Sequence, residues 1–404
     1  MLYSLALLLF TTRYASGAFV DYTLNIVNTQ ISPDGFSRKA SLVNGVFPGT
    51  VLFANKGDVL RNTVVNQLSD PSMRRSTTIS STGTVYSNKL PPMKMDQLSL
   101  LSVPLLLMQH TNIQYVDGVR SAIVIYDPND PHKSLYGKHI DDESTVIQLS
   151  DWYHTPAPVL GEEYIASGSE PVPDSGLING RGRYKGGPAA PWSVFNVQKG
   201  KRYRYRVVNN GALGYYTFQI DGHPLKIIEA DGIAHQPYTV NSLDIHPGER
   251  YSIIVEANQT VGNYWIRAPI TARRSSNTLE PEFVKAILRY EGAPVRDPTT
   301  SKSSGLKLDQ NLLKPVENPG APGGSGPADV VIDLKYGGVS NGQTGWQVND
   351  SQYKPPNLPT LLSILSNNAS TNSDFARSEN TIVLPFNKVI ELQIHGSSNV
   401  RSHE

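Results

Sequence analysis

Cysteine is absent from all 404 residues. That absence excludes disulfides, thiolate nucleophiles, zinc ribbons, iron–sulfur clusters and any copper centre that needs a thiolate ligand. Net charge is nearly absent as well: 36 basic against 35 acidic side chains leave +1, so there is no electrostatic case for nucleic acid or an anionic membrane surface as a partner. Past the N-terminus no apolar run is long enough to span a bilayer. Long amphipathic helical patterns are not evident either.

What is present points to strands and turns. Twenty tyrosines, 29 prolines and 33 glycines favour β-structure and loops. The apolar fraction of 39% and charged fraction of 18% are those of a globular protein, and the length predicts two or three domains. The opening "MLYSLALLLFTTRYASGAFV" carries an apolar run followed by small residues from Ala15 to Ala18. It predicts a signal peptide over residues 1–18 and a secreted, extracellular protein. Three Asn-x-Ser/Thr triplets, at Asn258, Asn349 and Asn368, are candidate glycosylation sites that fit this compartment.

Short alternating runs such as "YRYRVVNN", "YSIIVEAN" and "NYWIRAPI", bounded by Gly, Asn and Pro, read as strands of sandwiches or barrels. The chain also resembles itself. "SLVNGVFPGT…ANKGDVLRNTVVNQL" (41–68) matches "GLINGRGRYK…VQKGKRYRYRVVNNG" (176–211). Each has an apolar-Asn-Gly turn, then Lys-Gly, then an alternating strand ending at Asn66 or Asn209. A looser third copy runs from "QVNDSQYKPP" to "PFNKVIELQIHG", with Lys388 in the lysine position. Repeats at this spacing predict tandem β-domains. "PVRDPTTSKSSGLK" and "NPGAPGGSGPAD" form a Pro/Gly/Ser-rich connection before the third.

Several stretches resemble the fungal laccases of the multicopper oxidase family. They include "VNGVFPGT", "NQLSDPSMRRSTTI", "QYVDGVRSAIVIYDPNDPHKSLY", "DESTVIQLSDWYHTPAPV", "PVPDSGLINGRGRY", "GHPLKIIEADGIAHQP" and "GERYSIIVEANQTVGNYWIRAP". The resemblance implies an all-β fold of tandem cupredoxin-like Greek-key sandwich or barrel domains, two complete and a partial third. The expected divisions are 19–142, disrupted at 80–113, then 143–300, then a linker and truncated domain at 301–404. It also implies one-electron oxidation of phenols at a blue copper, with O2 reduced to water at a trinuclear copper cluster. Phenolic small molecules and O2 are the implied partners, and lignin degradation with detoxification of lignin-derived phenols the implied role.

Those activities depend on four histidine-rich motifs, because a cluster that reduces oxygen needs many imidazoles converging from two domains. The family order implies His-Trp-His-Gly and His-x-His in the first domain, then His-Pro-x-His-Leu-His-Gly and His-Cys-His in the last. After "RRSTTI", where the first motif belongs, the chain reads Ser80-Ser81-Thr82-Gly83. Writing permitted codons for "STGTVYSNKLPPMKMDQ" (81–97) and shifting the frame by one base gives His-Trp-His-Gly-Leu-Phe-Gln-Gln-Thr-Thr-Ala-Asp-Glu-Asp-Gly-Pro. The segment from about Ser80 to about Met108 therefore reads as the family's copper loop out of frame. The family pattern resumes at Gln114, and the stretch holding His-x-His is missing. His110 falls by alignment on the second histidine of that pair and is a candidate copper ligand. Beyond "NKVIELQIHG" the chain reads "SSNVRSHE", so neither third-domain copper motif lies within residues 1–404.

Counting agrees. The nine histidines stand at 110, 132, 139, 154, 223, 235, 246, 395 and 403, none at a spacing that puts two imidazoles on one element. His154 and His223 read as structural turn histidines, and His235 and His246 sit in similar polar turns. One substrate feature survives by resemblance: Asp174 in "PVPDSGLING" matches the laccase carboxylate that orients the phenol and accepts its proton. Copper is expected for the family but not for this chain. The expectation is a laccase-family chain that is inactive as it stands. The alternative is a non-catalytic, copper-free laccase-like secreted protein, or an error in the reading of its gene.

Overall fold

The structure is a computed structural model that describes residues 18–69, 83–84, 100–102, 115–136, 140–274, 276–318, 320–338, 346–358 and 360–396, with the backbone alone at 83–84 and 100–102. The chain divides into two compact units, residues 1–156 with 172–316 and residues 157–171 with 317–404. The first is built mainly of strands, as expected for an all-β chain, while among the described residues the second holds helices and strands in similar measure.

Seven strands open the first unit: β1 (Phe19–Ile31), β2 (Arg38–Val43), β3 (Leu52–Asn55), β4 (Val59–Gln67), β5 (Gly83–Thr84), β6 (Leu100–Ser102) and β7 (Ala122–Tyr126). They form one sheet of order β2-β1-β4-β5 and a second of order β3-β7-β6. Successive side chains point to opposite faces of a strand. Leu24 and Ile26 of β1, Val64 of β4, Leu52 and Ala54 of β3, and Ile123 and Ile125 of β7 therefore share one buried cluster. Two of the short strands, β5 and β6, lie within the stretch read as out of frame.

Thirteen strands follow: β8 (Val146–Trp152), β9 (Ser175–Ile178), β10 (Arg181–Gly182), β11 (Ser193–Val197), β12 (Arg202–Asn209), β13 (Tyr215–Ile220), β14 (Leu225–Ala230), β15 (Ile233–Val240), β16 (Ser242–Ile245), β17 (Arg250–Glu256), β18 (Asn263–Arg267), β19 (Ile270–Thr271) and β20 (Lys285–Tyr290). A seven-stranded sheet, β10-β9-β8-β12-β17-β14-β15, and a six-stranded sheet, β11-β20-β18-β13-β16 with β19 also paired to β13, make the second sandwich. Between them lies the largest core, with Tyr205, Val207, Ile227 and Ile253 from one sheet and Phe195, Phe218, Ile266 and Leu288 from the other. Every residue of β8 is buried. Its Val146 packs with Val51, Ala122 and Val124 of the first sandwich, and its Trp152 with Ala40, Leu42 and Leu177. The seam between the two sandwiches is thus a second core, and it fixes the loops that bring Asp34, His154 and Asp174 together.

The second unit holds α1 (Ala157–Ser167), β21 (Val330–Gly338), β22 (Trp346–Val348), β23 (Ser351–Gln352), α2 (Thr360–Asn367) and β24 (Ile390–His395). Its sheet order is β23-β22-β21-β24. No helix among the described residues is long and apolar enough to cross a membrane.

The repeat read from the sequence has a structural counterpart. Each copy is a three-strand unit in which the central strand has an antiparallel neighbour on one side and a parallel one on the other: β2-β1-β4, β9-β8-β12 and β22-β21-β24. In each, the turn asparagine adopts the left-handed backbone that Asn tolerates, with φ of 55° at Asn44, 47° at Asn179 and 49° at Asn349. Each clamps its central strand twice. Asn44 N donates to Asn25 O at 2.7 Å while its Oδ1 accepts from Asn25 N at 2.8 Å. Asn179 does the same with Gln148 at 2.9 and 2.7 Å, and Asn349 with Lys335 at 2.9 Å in both directions.

Candidate functional site

Asp174 sits in the loop that enters β9. Its backbone N donates to Trp152 O at 2.9 Å. Its Oδ2 accepts from the backbone N of His154 at 2.8 Å and its Oδ1 from the Thr278 hydroxyl at 2.7 Å. About a quarter of the side chain, 24%, remains exposed. A carboxylate held on its inner side by two donors and open on its outer side is placed to accept a hydrogen bond from an incoming hydroxyl.

His154 is the hinge of the cluster. Its Nε2 lies 2.8 Å from Asp34 Oδ2 and its Nδ1 3.7 Å from Asp174 Oδ1. Asp34 comes from the turn between β1 and β2, 120 residues away, and is fully buried. Its Oδ2 also accepts from the Ser175 hydroxyl at 2.6 Å, and its Oδ1 accepts from the backbone N of Phe36 at 3.1 Å. Phe36 stacks parallel on the imidazole at 4.0 Å, and Tyr184 meets that ring edge-on at 4.6 Å. The group combines two carboxylates, an imidazole, the hydroxyls of Ser175 and Thr278, and two aromatic rings. It can bind or move a proton.

Sequence reasoning found Asp174 and took His154 as structural, but missed Asp34, Phe36, Ser175 and Tyr184. The only signal was the Asp34-Gly35 turn pair, with Gly35 at φ 99°, which identifies a turn and not what its carboxylate touches. Of the three glycosylation candidates, Asn258 and Asn368 are exposed. The exposed Asn349 is the turn clamp of the third repeat and donates through Nδ2 to Asp333 O at 2.9 Å.

The remaining histidines are dispersed. His110, the candidate metal ligand, lies outside the described residues, as do His139 and His403. His223 is buried, with Nδ1 2.8 Å from Asp221 O and Nε2 2.6 Å from the Tyr290 hydroxyl. Burial holds its pKa below the ordinary imidazole value. His235 Nδ1 lies 2.8 Å from Ile233 O, His246 stacks on Tyr215 at 4.9 Å, and His395 faces Asp333 at 2.9 Å. The buried His132 belongs to the loop after β7. Among the described residues no three His, Cys, Asp or Glu side chains converge as a metal would require. The donor set among the described residues fits neither a blue copper centre, which needs imidazoles and a thiolate gathered at one point, nor an oxygen-reducing cluster, which needs many converging imidazoles.

A second polar cluster ties the loop after β7 to β12. Arg204 is 3% exposed and bonds Asp130 Oδ2, Glu229 Oε2 at 2.8 Å and Ser252 Oγ at 3.3 Å. Arg206 grips Asp141 with two bonds of 2.7 Å. Burial pushes the Asp130 carboxyl up, but Arg204, the His132 backbone N–H and the Tyr136 hydroxyl outweigh it, and the net pKa is lowered. Tyr115, whose hydroxyl donates to Asn210 O and Gly211 O at 2.6 Å, is pushed up to about 12, chiefly by burial.

The chain is similar to known proteins. The multicopper oxidase family profile matches residues 143–293. Laccase-4 of Thanatephorus cucumeris is 49% identical over 432 residues, spanning 100% of this chain and 81% of that protein. Laccase-2 of Agaricus bisporus is 40% identical over 396 residues, spanning 93% and 75%. Among solved structures, a mutant of the laccase from B. aclada superposes with a TM-score of 0.71 at 25% identity, covering 90% of this chain and 69% of that one. Fet3p, a multicopper oxidase that functions in iron import, superposes at 0.73 with 20% identity, covering 94% and 73%. The latter is a likeness of fold alone.

Proposed function

The chain belongs to the multicopper oxidases, among the fungal laccases, and from that premise we propose that it is a secreted laccase-fold protein whose residues 1–404 hold no copper and do not oxidise phenols. One observation carries the proposal: the family's first copper loop is replaced by Ser80-Ser81-Thr82-Gly83. The trinuclear cluster draws imidazoles from two domains. Losing the first-domain pair disables it whatever the last domain contributes. The absence of cysteine removes the blue centre from these residues in the same way, and the dispersed histidines among the described residues supply no substitute. Because the residues present do not fit copper, no catalytic step is assigned through it.

Asp174 keeps the geometry of a hydroxyl acceptor beside the Phe36, His154 and Tyr184 rings. Its role in this chain is at most to bind a phenol, because proton removal drives turnover only when an electron acceptor lies beside it. The signal-peptide pattern of residues 1–18 and the glycosylation candidates Asn258, Asn349 and Asn368 support the secreted compartment. The three-domain division at about 142 and 300 is proposed with the fold. Oxygen uptake with a simple phenol, measured after copper loading of the full chain, tests the reading. No uptake above a copper-only blank is expected, and sustained turnover would overturn it.

A further inference from the structure

Lys285 opens β20, and its place in the sheet sets its chemistry. The register pairs it with Arg267 of β18 and pairs Ile287 with Trp265. Alternate residues of a strand share a face. Ile266, Ala286 and Leu288 belong to the core, so Trp265, Arg267 and Lys285 stand together on the outer face. Arg267 is fixed there: its Nε and Nη2 donate to Asp221 at 2.8 and 2.9 Å, and Nη2 also donates to Thr300 O at 3.0 Å. The Thr300 hydroxyl donates to Asp221 Oδ2 at 2.7 Å, so that buried carboxylate is committed to other partners. Lys285 Nζ lies 5.5 Å from the centre of the Trp265 ring, which Trp192 meets edge-on at 5.7 Å. The lysine is half-buried, and no carboxylate among the described residues is within ion-pair distance of it.

A half-buried ammonium with no counter-ion, set beside a fixed guanidinium, favours its neutral form. Burial first and Arg267 second hold the Lys285 pKa below the ordinary lysine value, against the smaller opposing pull of Glu282, Asp221 and Glu280. Desolvation and a neighbouring cation are the two devices that turn a lysine into a nucleophile. We propose that Lys285 is a carbonyl-reactive lysine that takes an aromatic aldehyde as an imine. The Nζ lone pair attacks the carbonyl carbon and the π electrons move to its oxygen. The resulting carbinolamine takes a proton from solvent, returns the one on nitrogen, and loses water as the C=N bond forms. No oxidant or reductant is consumed. The Trp265 indole gives the aldehyde's ring an aromatic neighbour. None of these residues belongs to the Asp174 cluster, and the adduct needs no copper.

The test treats the full native chain with benzaldehyde and cyanoborohydride, which reduces the imine to a stable benzylamine, and maps the adducts by mass spectrometry of a digest. At pH 7 Lys285 should carry several-fold more adduct than the exposed Lys199 or Lys201. That ratio should shrink as pH rises and all three amines become neutral. In guanidinium chloride the preference should vanish, because burial and the neighbouring guanidinium are both lost. Propanal, although smaller, should favour Lys285 less than benzaldehyde does. Equal labelling of the three lysines at pH 7, a ratio that does not change with pH, or a preference that survives denaturation would each overturn the reactive amine. Equal preference for the two aldehydes would overturn the aromatic assignment.

Discussion

Replacing Arg204 by methionine removes one of the two β12 cations, with Arg206, that hold the loop after β7. The side chain is 3% exposed, and its carboxylate partners Asp130 and Glu229 are 9% and 8% exposed. Deleting one partner of a buried ion pair leaves the other charge without compensation and costs about 3–5 kcal/mol. Methionine keeps most of the apolar volume, so little of that loss comes from a cavity. Urea denaturation followed by tryptophan emission, to which Trp152, fully buried at the seam between the two sandwiches, contributes, reads the effect as a fall in midpoint of roughly 1 M or more. The loss depends on pH with a definite sign. The folded-state pKa of Asp130 is depressed, so its stabilising contribution is present above the unfolded value of about 3.9 and fades as pH falls through the folded one. The native chain should lose that increment between pH 4 and lower values, and the variant should show a shallower acid limb. A loss under about 1 kcal/mol at pH 7, or an acid limb parallel to the native one, would refute the assignment.

Asn179→Ala and Asn349→Ala should each cost about 2 kcal/mol, from two lost hydrogen bonds and an alanine forced to positive φ. Hydrogen exchange should locate the damage at β8 for the first and at β21 for the second. Gly180→Ala should destabilise by about 2 kcal/mol or more, because the residue has φ +71° and an added Cβ would lie 2.5 Å from Phe47 O; a thermal midpoint within a degree of the native one would contradict this. A fragment of residues 143–316 should unfold about 2 kcal/mol later than one of 143–300. Leu308 and Leu313 pack on the second core, and Leu308 N donates to Ser242 O at 2.9 Å.

The turns were the most legible part of the sequence. An apolar-Asn-Gly signature states its backbone conformation locally, so both turns of that kind, and the Asn-Asp turn of the looser third copy, lie where the repeat put them. Alternation in "YRYRVVNN" likewise sufficed for β12. Asp174 was legible through resemblance, yet the groups that orient it were not. Asp34 and Phe36 reach His154 across 120 residues of chain, and only closure of the seam between sandwiches makes them neighbours. Arg204 reads in the strand as an ordinary alternating cation, and its two carboxylate partners come from the loop after β7 and from β14. α1 escaped notice because its pattern has no clear apolar face, with Ala157 buried at one end and Ile165 74% exposed near the other. The two-residue β5 in the shifted segment follows no pattern; it is recruited by the backbone of β4 at Thr63 and Val64.

The central claim is that a laccase scaffold has been kept without the means to hold copper. Metal analysis by mass spectrometry on the full chain, after copper loading and removal of loosely bound ions, tests it most directly. Well under one copper atom per chain and no blue absorption band are expected. Stoichiometric copper with a blue band would contradict the account.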